Sequence, residues 1–355
     1  EQDMQIYRLF VKTGTRLVDA INKLLDEREV VTTIAYDDKY TLGGIPLAIA
    51  SQRNIPAYST SLGWRDESLV VGEVSDRNSL PHFEEPDLVQ EFLSQSLTET
   101  QRDQIEKIIQ NRTQGEGDVR VHYSSTEATS VNENATECTV GMFTNLIWDA
   151  SLSVEDCPFP DVFEWIKTTI HTIAQQSDIH LIIKTHPAEA IRGTNESVKE
   201  WIEQQYTELP SNITLLPPDT DVNTYQMIQE IDAGIVYNST VGLEMAYFGK
   251  PVLVGGETHY RNFGITSDPK SKSEYVRYLK QINELEAEPE KQTRAERYLY
   301  FLFVVKHLDF PFVQTEDHAS AITWSDSESG QQTLQQFVRK CPEGRPVLNP
   351  SFKSD

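Results

Sequence analysis

Two short constellations in this chain have residue types and spacing that suit chemistry on a phosphate. The first is Lys184-Thr185-His186-Pro187, at the end of an apolar run over 179–184. The second is Asn238-Ser239-Thr240, which follows an apolar run over 233–237 and precedes a short helical pattern over 241–248 that carries Glu244. A buried strand ending in polar residues delivers them to the carboxyl edge of an open α/β sheet, where such sheets bind ligands. A cationic or hydrogen-bonding His186, with Lys184 near it, can hold a phosphate and stabilise the charge that develops as a nucleotide departs. Ser239 or Thr240 falls where a helix N-cap belongs. A hydroxyl, unpaired backbone N–H groups and the positive end of the helix dipole then face an anion together. Glu244, one turn into the helix, is placed to accept hydrogen bonds from ribose hydroxyls. His186-Pro187 alone would read as a capped turn; with Asn238-Ser239-Thr240 at the end of a second strand, a nucleotide-sugar pocket is the better reading.

The elements that must position these residues are legible from periodicity. Strands at 139–144, 179–184, 213–216, 233–237 and 252–254 alternate with helices at 160–176, 196–207, 222–230 and 241–248, which predicts a doubly wound parallel sheet. In the first half, a helical pattern over 3–28 is interrupted at Thr13-Gly14-Thr15. A strand at 30–35, a helix at 42–52 and a strand at 55–59 follow, a β-α-β unit that implies a parallel pair. The usual first strands of such a domain are missing upstream, so this domain is expected to be truncated. Residues 62–86 read as irregular, 87–111 as a helix or helix pair, 119–123 as a strand and 124–137 as the interdomain linker. Helices at 273–285 and 289–308 precede a polar tail. The expected fold class is α/β with two Rossmann-like domains: an acceptor-side domain over 1–130, a nucleotide-sugar-binding domain over 131–275, and helices and tail over 276–355 that partly brace the first.

Composition narrows the function classes. With 55 Asp plus Glu against 31 Lys plus Arg, the formal charge of -24 repels nucleic-acid phosphates, so no nucleic-acid partner is expected. Scattered acids with frequent Ser and Thr suit an acidic, halophilic protein. Cys138, Cys157 and Cys341 form no framework and read as free thiols of a reducing compartment. No apolar run reaches the ~18 residues needed to span a bilayer, so the expected place is the cytoplasm, with peripheral association at the inner face of the membrane. The N-x-S/T triplets that start at Asn111, Asn134, Asn195, Asn212 and Asn238 are not read as glycosylation sites.

The stretches IIKTHPAE (182–189), LLPPDTDVNTY (215–225), YNSTVGLEMAYFGKPVLVGG (237–256) and HYRNFGIT (259–266) resemble the C-terminal domain of GT-B glycosyltransferases. The likeness is to the capsule and surface-polysaccharide group related to the Kdo transferases, and FTNLIWDAS (143–151) fits that domain's first strand and loop. The resemblance covers roughly 140–266. It implies that His186 with Pro187, and Ser239 with Thr240, grip the nucleotide phosphate, and that Glu244 contacts ribose or base; Lys184 and Asn238 join them as donor-binding candidates from their places at the strand ends. The donor would be a nucleotide sugar, CMP- or UDP-linked, with no other cofactor and no metal, and the acceptor a surface glycan.

The family's acidic catalytic motif has no recognisable counterpart in the first half. Asp37 and Asp38 end a strand and could deprotonate an acceptor hydroxyl; the plainer reading is that they cap the next helix. Asp149 lies in the 145–151 loop, and His82, Glu84 and Glu85 could form an acceptor loop or a solvated charged one. Glu189 reads as a first-turn carboxylate, and Arg261 as a partner for a phosphate or an acidic sugar, or as a surface salt bridge. No metal-ligand spacing, GxxxxGK[ST] loop or GxSxG elbow is present. The expected activity is metal-independent transfer of a sugar to a capsular or lipid-linked glycan. The alternatives are a CDP-polyol phosphotransferase of the teichoic-acid type and a non-catalytic nucleotide-sugar-binding scaffold.

Overall fold

A computed structural model describes residues 2–38, 40–65, 67–74, 86–114, 138–147, 157–191, 197–316, 319–322 and 327–349. In chain order the elements are α1 (Gln2–Glu27), β1 (Thr33–Tyr36), α2 (Thr41–Gln52), β2 (Ala57–Leu62), β3 (Ser68–Glu73), α3 (Pro86–Ser94), α4 (Glu99–Gln114), β4 (Cys138–Phe143), α5 (Val162–Ile173), β5 (Ile179–Lys184), α6 (Ala188–Ile191), α7 (Val198–Gln205), β6 (Ile213–Leu216), α8 (Thr224–Glu230), β7 (Ala233–Val236), α9 (Val241–Tyr247) and β8 (Val252–Val254). They continue with α10 (Lys272–Lys280), α11 (Pro289–Tyr300), β9 (His307–Asp309), β10 (Val313–Glu316), β11 (Ala319–Ile322) and α12 (Glu328–Lys340). The described chain divides into two compact units. One holds residues up to 94 and from 300 onward; the other holds 95–114 and 138–299.

The second unit is built on a five-stranded parallel sheet of order β6-β5-β4-β7-β8. Its strands are apolar on both faces because helices cover both. One face packs α5 and α10 through Trp165, Phe159 and Tyr275, all fully buried, with the Trp165 indole N–H donating to the Tyr275 hydroxyl at 2.9 Å. On the other face Gly141 and Gly234 are register partners. A Cβ at Gly234 would lie 2.3 Å from the Met245 sulfur, and one at Gly141 2.8 Å from Ile231 Cδ1. These glycines let the α8 and α9 side seat directly on the sheet. Asp161, Ser197 and Asn223 cap α5, α7 and α8 by accepting backbone N–H groups. The Asn212 side-chain amide donates to the carbonyls of Ile173, Gln176 and Ile179, closing the carboxyl end of α5.

The first unit has a four-stranded sheet of order β1-β2-β3-β9. The parallel β1–β2 pair with its α2 crossover is the one the sequence predicts. The rest differs: β2–β3 and β3–β9 are antiparallel, so the sheet is mixed. Residues 62–86 are not wholly irregular, because a tight connection closed by the Gly63 N–H on the Ser68 carbonyl (2.9 Å) returns the chain as β3. The helix expected over 289–308 stops at Tyr300, turns through a π-type turn at Phe301–Val305 and becomes β9. Helix α1 is unbroken at 13–15, where the Thr15 hydroxyl donates to the Val11 carbonyl at 2.8 Å. Helix α12 packs by Phe337 and Cys341 on a core of Tyr58, Val71, Leu308 and Val347. The expected strand at 119–123 and linker at 124–137 lie outside the described residues. Among the described residues no helix is long and apolar enough to cross a membrane.

Candidate functional site

The order of the five-stranded sheet reverses between β4 and β7, and at such a switch point the exit loops diverge and leave a crevice. The two exits are tied at their base, where the Asn238 N–H donates to Asn145 Oδ1 at 3.3 Å. Three polar residues end or directly follow neighbouring strands on this edge. Lys184 ends β5 and is 3% exposed, between the apolar register neighbours Phe143 and Leu216. Its amine has no hydrogen-bond or ion-pair partner among the described residues, and burial pushes its pKa down to about 8. Thr144, following β4, has a buried hydroxyl with no hydrogen-bond partner among the described residues, and so does Tyr237, following β7. The Tyr237 ring packs on Trp165 with centroids 5.3 Å apart. Burial raises its phenol pKa, and so do the nearby Cys157, Asp161 and Glu257. Buried polar groups are nearly always paired in folded proteins, and exceptions concentrate where a ligand completes them.

His186 follows Lys184 by two residues. Its Nδ1 accepts the Ala188 N–H at 3.1 Å, which places the proton of the neutral ring on Nε2 and makes that edge a donor. Held this way, His186 acts as a hydrogen-bond donor; a cationic ring would forfeit the bond to Ala188. Pro187 opens the turn, its carbonyl accepting the Ala190 N–H at 3.2 Å. Glu189 turns away from this edge: it is 5% exposed and accepts the Val198 N–H at 3.1 Å, bracing the start of α7. Burial raises its pKa against the lowering effect of the Val198 and Lys199 amides.

The turn after β7 is fixed from behind. The Tyr260 hydroxyl, in a fully buried side chain, donates to the Ser239 carbonyl at 2.6 Å. Gly242 makes this approach possible, since a Cβ there would lie 2.2 Å from the Tyr260 oxygen. Ser239 Oγ accepts the Val241 N–H at 3.3 Å, and Thr240 is the N-cap of α9 with no side-chain cap bond.

Two expected donor contacts are engaged within the protein. Glu244 is 1% exposed, and its Oε1 accepts the Arg112 Nε and Nη2 at 2.8 and 2.7 Å, with the Tyr225 hydroxyl in the same cluster. The expected ribose or base contact is thus a buried ion pair joining α4 to α8 and α9. Burial alone would lower the Arg112 pKa; the Glu244 carboxylate raises it overall. Arg261 is 8% exposed and donates to the carbonyls of Gly256 and Pro269. It ties a loop, in place of the expected phosphate, acidic-sugar or surface contact.

The base candidates Asp37 and Asp38 lie in the other unit, half-buried at the exit of β1. Asp37 is left-handed at φ 53°, a conformation aspartate tolerates better than most residues. Asp38 Oδ1 accepts the Ser59 hydroxyl at 3.1 Å. The N-cap of α2 is Tyr40, so the simple cap reading does not describe the pair. His82, Glu84, Glu85 and Asp149 lie outside the described residues. Among the described residues no three His, Cys, Asp or Glu side chains converge as metal ligands.

The residues that the sequence reading did not single out for the site are Thr144, Asn145, Tyr237 and Arg112. Tyr237 lay inside a quoted motif and Thr144 at a predicted strand end, so position could have flagged both. Arg112 is one charge on a polar helix and carries no local signal.

The solved structures that this fold resembles include two from Thermosulfurimonas dismutans. They are KpsC, beta Kdo 2,4 transferase (12% identity, 81% of this chain and 83% of that one, TM-score 0.49) and KpsC, beta Kdo 2,7 transferase (12%, 90% and 88%, TM-score 0.47). A further one is the S. aureus MnaA-UDP co-structure (14%, 80% and 73%, TM-score 0.36). No curated protein matches the chain. The family profile described as "Capsule polysaccharide biosynthesis protein" matches residues 95–292, more than half of the chain and all of the edge just described. The chain therefore belongs to the capsule polysaccharide biosynthesis protein family.

Proposed function

We propose that this protein is a glycosyltransferase of capsule or surface-polysaccharide assembly, taking its sugar from a nucleotide-activated donor. The observation that carries the reading is the buried Lys184 amine, without a hydrogen-bond or ion-pair partner among the described residues, two positions before His186, whose Nε2 edge can donate. A phosphate placed there would gain a charge-assisted bond from Lys184 and a hydrogen bond from His186 Nε2, and would relieve the burial of an uncompensated cation.

In the transfer, an acceptor hydroxyl attacks the anomeric carbon and the bond from that carbon to the donor phosphate oxygen breaks. The electron pair stays on the phosphate, where Lys184 and His186 stabilise it; the Ser239-Thr240 turn at the start of α9 adds a positive dipole. Asp37 or Asp38 is the proposed acceptor of the hydroxyl proton. Pro187 and Asn238 shape the two turns that present these groups to the donor. These contacts are supplied by the chain itself, so the proposed mechanism needs no metal. The acceptor is proposed to be a capsular or lipid-linked glycan met at the cytoplasmic face of the membrane.

A thermal-shift panel with CMP, CDP, UDP and GDP, and with sugars linked to them, tests the reading on wild type and His186→Ala. Ligand at a hundredfold excess over its dissociation constant stabilises by ~2.7 kcal/mol. We expect one nucleotide class to raise the wild-type midpoint and the effect to vanish in the variant. Activity with the matching donor should fall by ~10²–10³ in His186→Ala. If no nucleotide at millimolar concentration moves the wild type, the reading fails.

A further inference from the structure

A second polar groove lies in the first unit, on α12. Gln332, Gln336 and Lys340 are spaced four residues apart and stand on one helix face, with Gln335 and Arg339 beside them. Arg345, beyond the turn at 341–343, closes a cavity of about 290 Å³. Three cations in one groove is a local reversal in a chain of net charge -24. Arg345 is paired with Glu343 at 2.7 Å, but both side chains are more than half exposed, so the pair is weak. Arg339 and Lys340 have no hydrogen-bond or ion-pair partner among the described residues. Burial, then the charge of Arg345, lowers the Lys340 pKa, so a nearby anion would relieve it.

The more specific signal is Gln336. Both its Nε2 and its Oε1 are buried with no hydrogen-bond partner among the described residues. A carboxamide left in that state is unfavourable, and satisfying it takes two different groups: an acceptor for the N–H and a donor for the carbonyl. An anion without a hydroxyl, such as sulfate, supplies only the first. A sugar that carries an oxyanion next to a free hydroxyl supplies both, and the oxyanion also meets Arg339 and Lys340.

We propose that the α12 groove binds an anionic saccharide through Gln336, Arg339 and Lys340, a glycan-holding site apart from the carboxyl edge of the parallel sheet. The inference rests on the glycan-handling reading above and adds the chemical class of the glycan. The oxyanion is a carboxylate or a phosphate, both of which satisfy the same residues.

Isothermal titration of the full chain with trigalacturonate, glucose 6-phosphate and maltotriose tests it. At least one of the two acidic sugars should bind, and which one binds identifies the oxyanion. Maltotriose should bind about tenfold more weakly or not at all, since a charged partner strengthens such a bond. The variant Arg339→Gln with Lys340→Gln should lose about tenfold or more for the acidic sugar, and added salt should weaken wild-type binding. Gln336→Leu removes an unmade amide, so its unfolding midpoint should be kept or raised while saccharide binding falls. The proposal is overturned if neither acidic sugar binds, if maltotriose binds as tightly, or if the variants bind like the wild type. The nucleotide shift is measured on the same samples. Saccharide binding without a nucleotide shift would sink the transferase reading alone, and a nucleotide shift without saccharide binding would sink the groove alone.

Discussion

The substitution Lys184→Met removes a charge that no group among the described residues compensates. The Lys184 pKa falls from the usual 10.5 to about 8 because the amine is buried among apolar strand neighbours. That difference corresponds to about 3 kcal/mol held against the folded state by the protonated amine. The sign follows from the direction. A lysine whose folded pKa is depressed destabilises fully below about pH 8, and the penalty fades as pH rises toward 10.5. Methionine has nearly the same length and no charge, so the variant should be more stable than wild type at pH 7 by about 3 kcal/mol. At about 2–4 °C per kcal/mol for a unit of this size, the midpoint should rise by roughly 6 °C or more. Paired urea or thermal unfolding curves at about pH 7 and about pH 10 measure it, the gap between the two proteins closing at the higher pH. The nucleotide-induced shift should disappear in the variant, because stability would have been gained by deleting the phosphate contact. A variant less stable than wild type at pH 7, or a gap that does not change with pH, refutes the reasoning. So does a stabilised variant that still responds fully to nucleotide.

Other expectations follow from the same packing. Tyr237→Phe deletes a buried hydroxyl that has no partner among the described residues, so unfolding should be unchanged or shifted up by about 1 kcal/mol; a clear loss would show that the hydroxyl is paired. Arg112→Ala leaves the Glu244 carboxylate buried without its cation and should cost about 3–5 kcal/mol, whereas Arg112→Met with Glu244→Met should recover most of that in chemical denaturation. Replacing Asp37 or Asp38 by Asn should lower turnover by about 10²–10⁴ at whichever residue accepts the proton, with the nucleotide shift unchanged. Unaltered turnover in both variants would remove the pair from the reaction.

The parts legible in the sequence are those whose signal is local. The run from β7 through α9 to β8 shows itself as apolar strands punctuated by Asn238-Ser239-Thr240 and Gly249-Lys250-Pro251, and Lys184-Thr185-His186-Pro187 marks the end of β5 in the same way. The parallel pair β1–β2 is legible because its crossover helix lies between its strands. Strand β3 is obscured because its outer partner is β9, more than two hundred residues later, and polar residues flank it on both sides. Strand β9 is hidden by the apolar run Phe301–Val305, which extends the α11 pattern through a π-type turn. Helical spacing of Glu244 suggested a ribose contact, but the residue facing it comes from a helix 132 positions earlier. Lacking a partner among the described residues, as the Lys184 amine and the Tyr237 hydroxyl do, is a property of spatial neighbours and has no sequence signature.

The place of β9 sets an order for assembly on the ribosome. Residues 95–299 supply every described element of the parallel-sheet unit, so that unit can fold once Leu299 has emerged. The mixed sheet must wait for His307–Asp309 to pair with β3 and for α12 to cover Tyr58 and Val71. During that interval β3, with its apolar Leu69, Val70 and Val71, presents an unpaired edge, the kind of surface on which nascent chains cross-associate. The strands of the mixed sheet that are made before the parallel-sheet unit are therefore sealed after it, and chaperone demand should be greatest while residues 95–299 are already native.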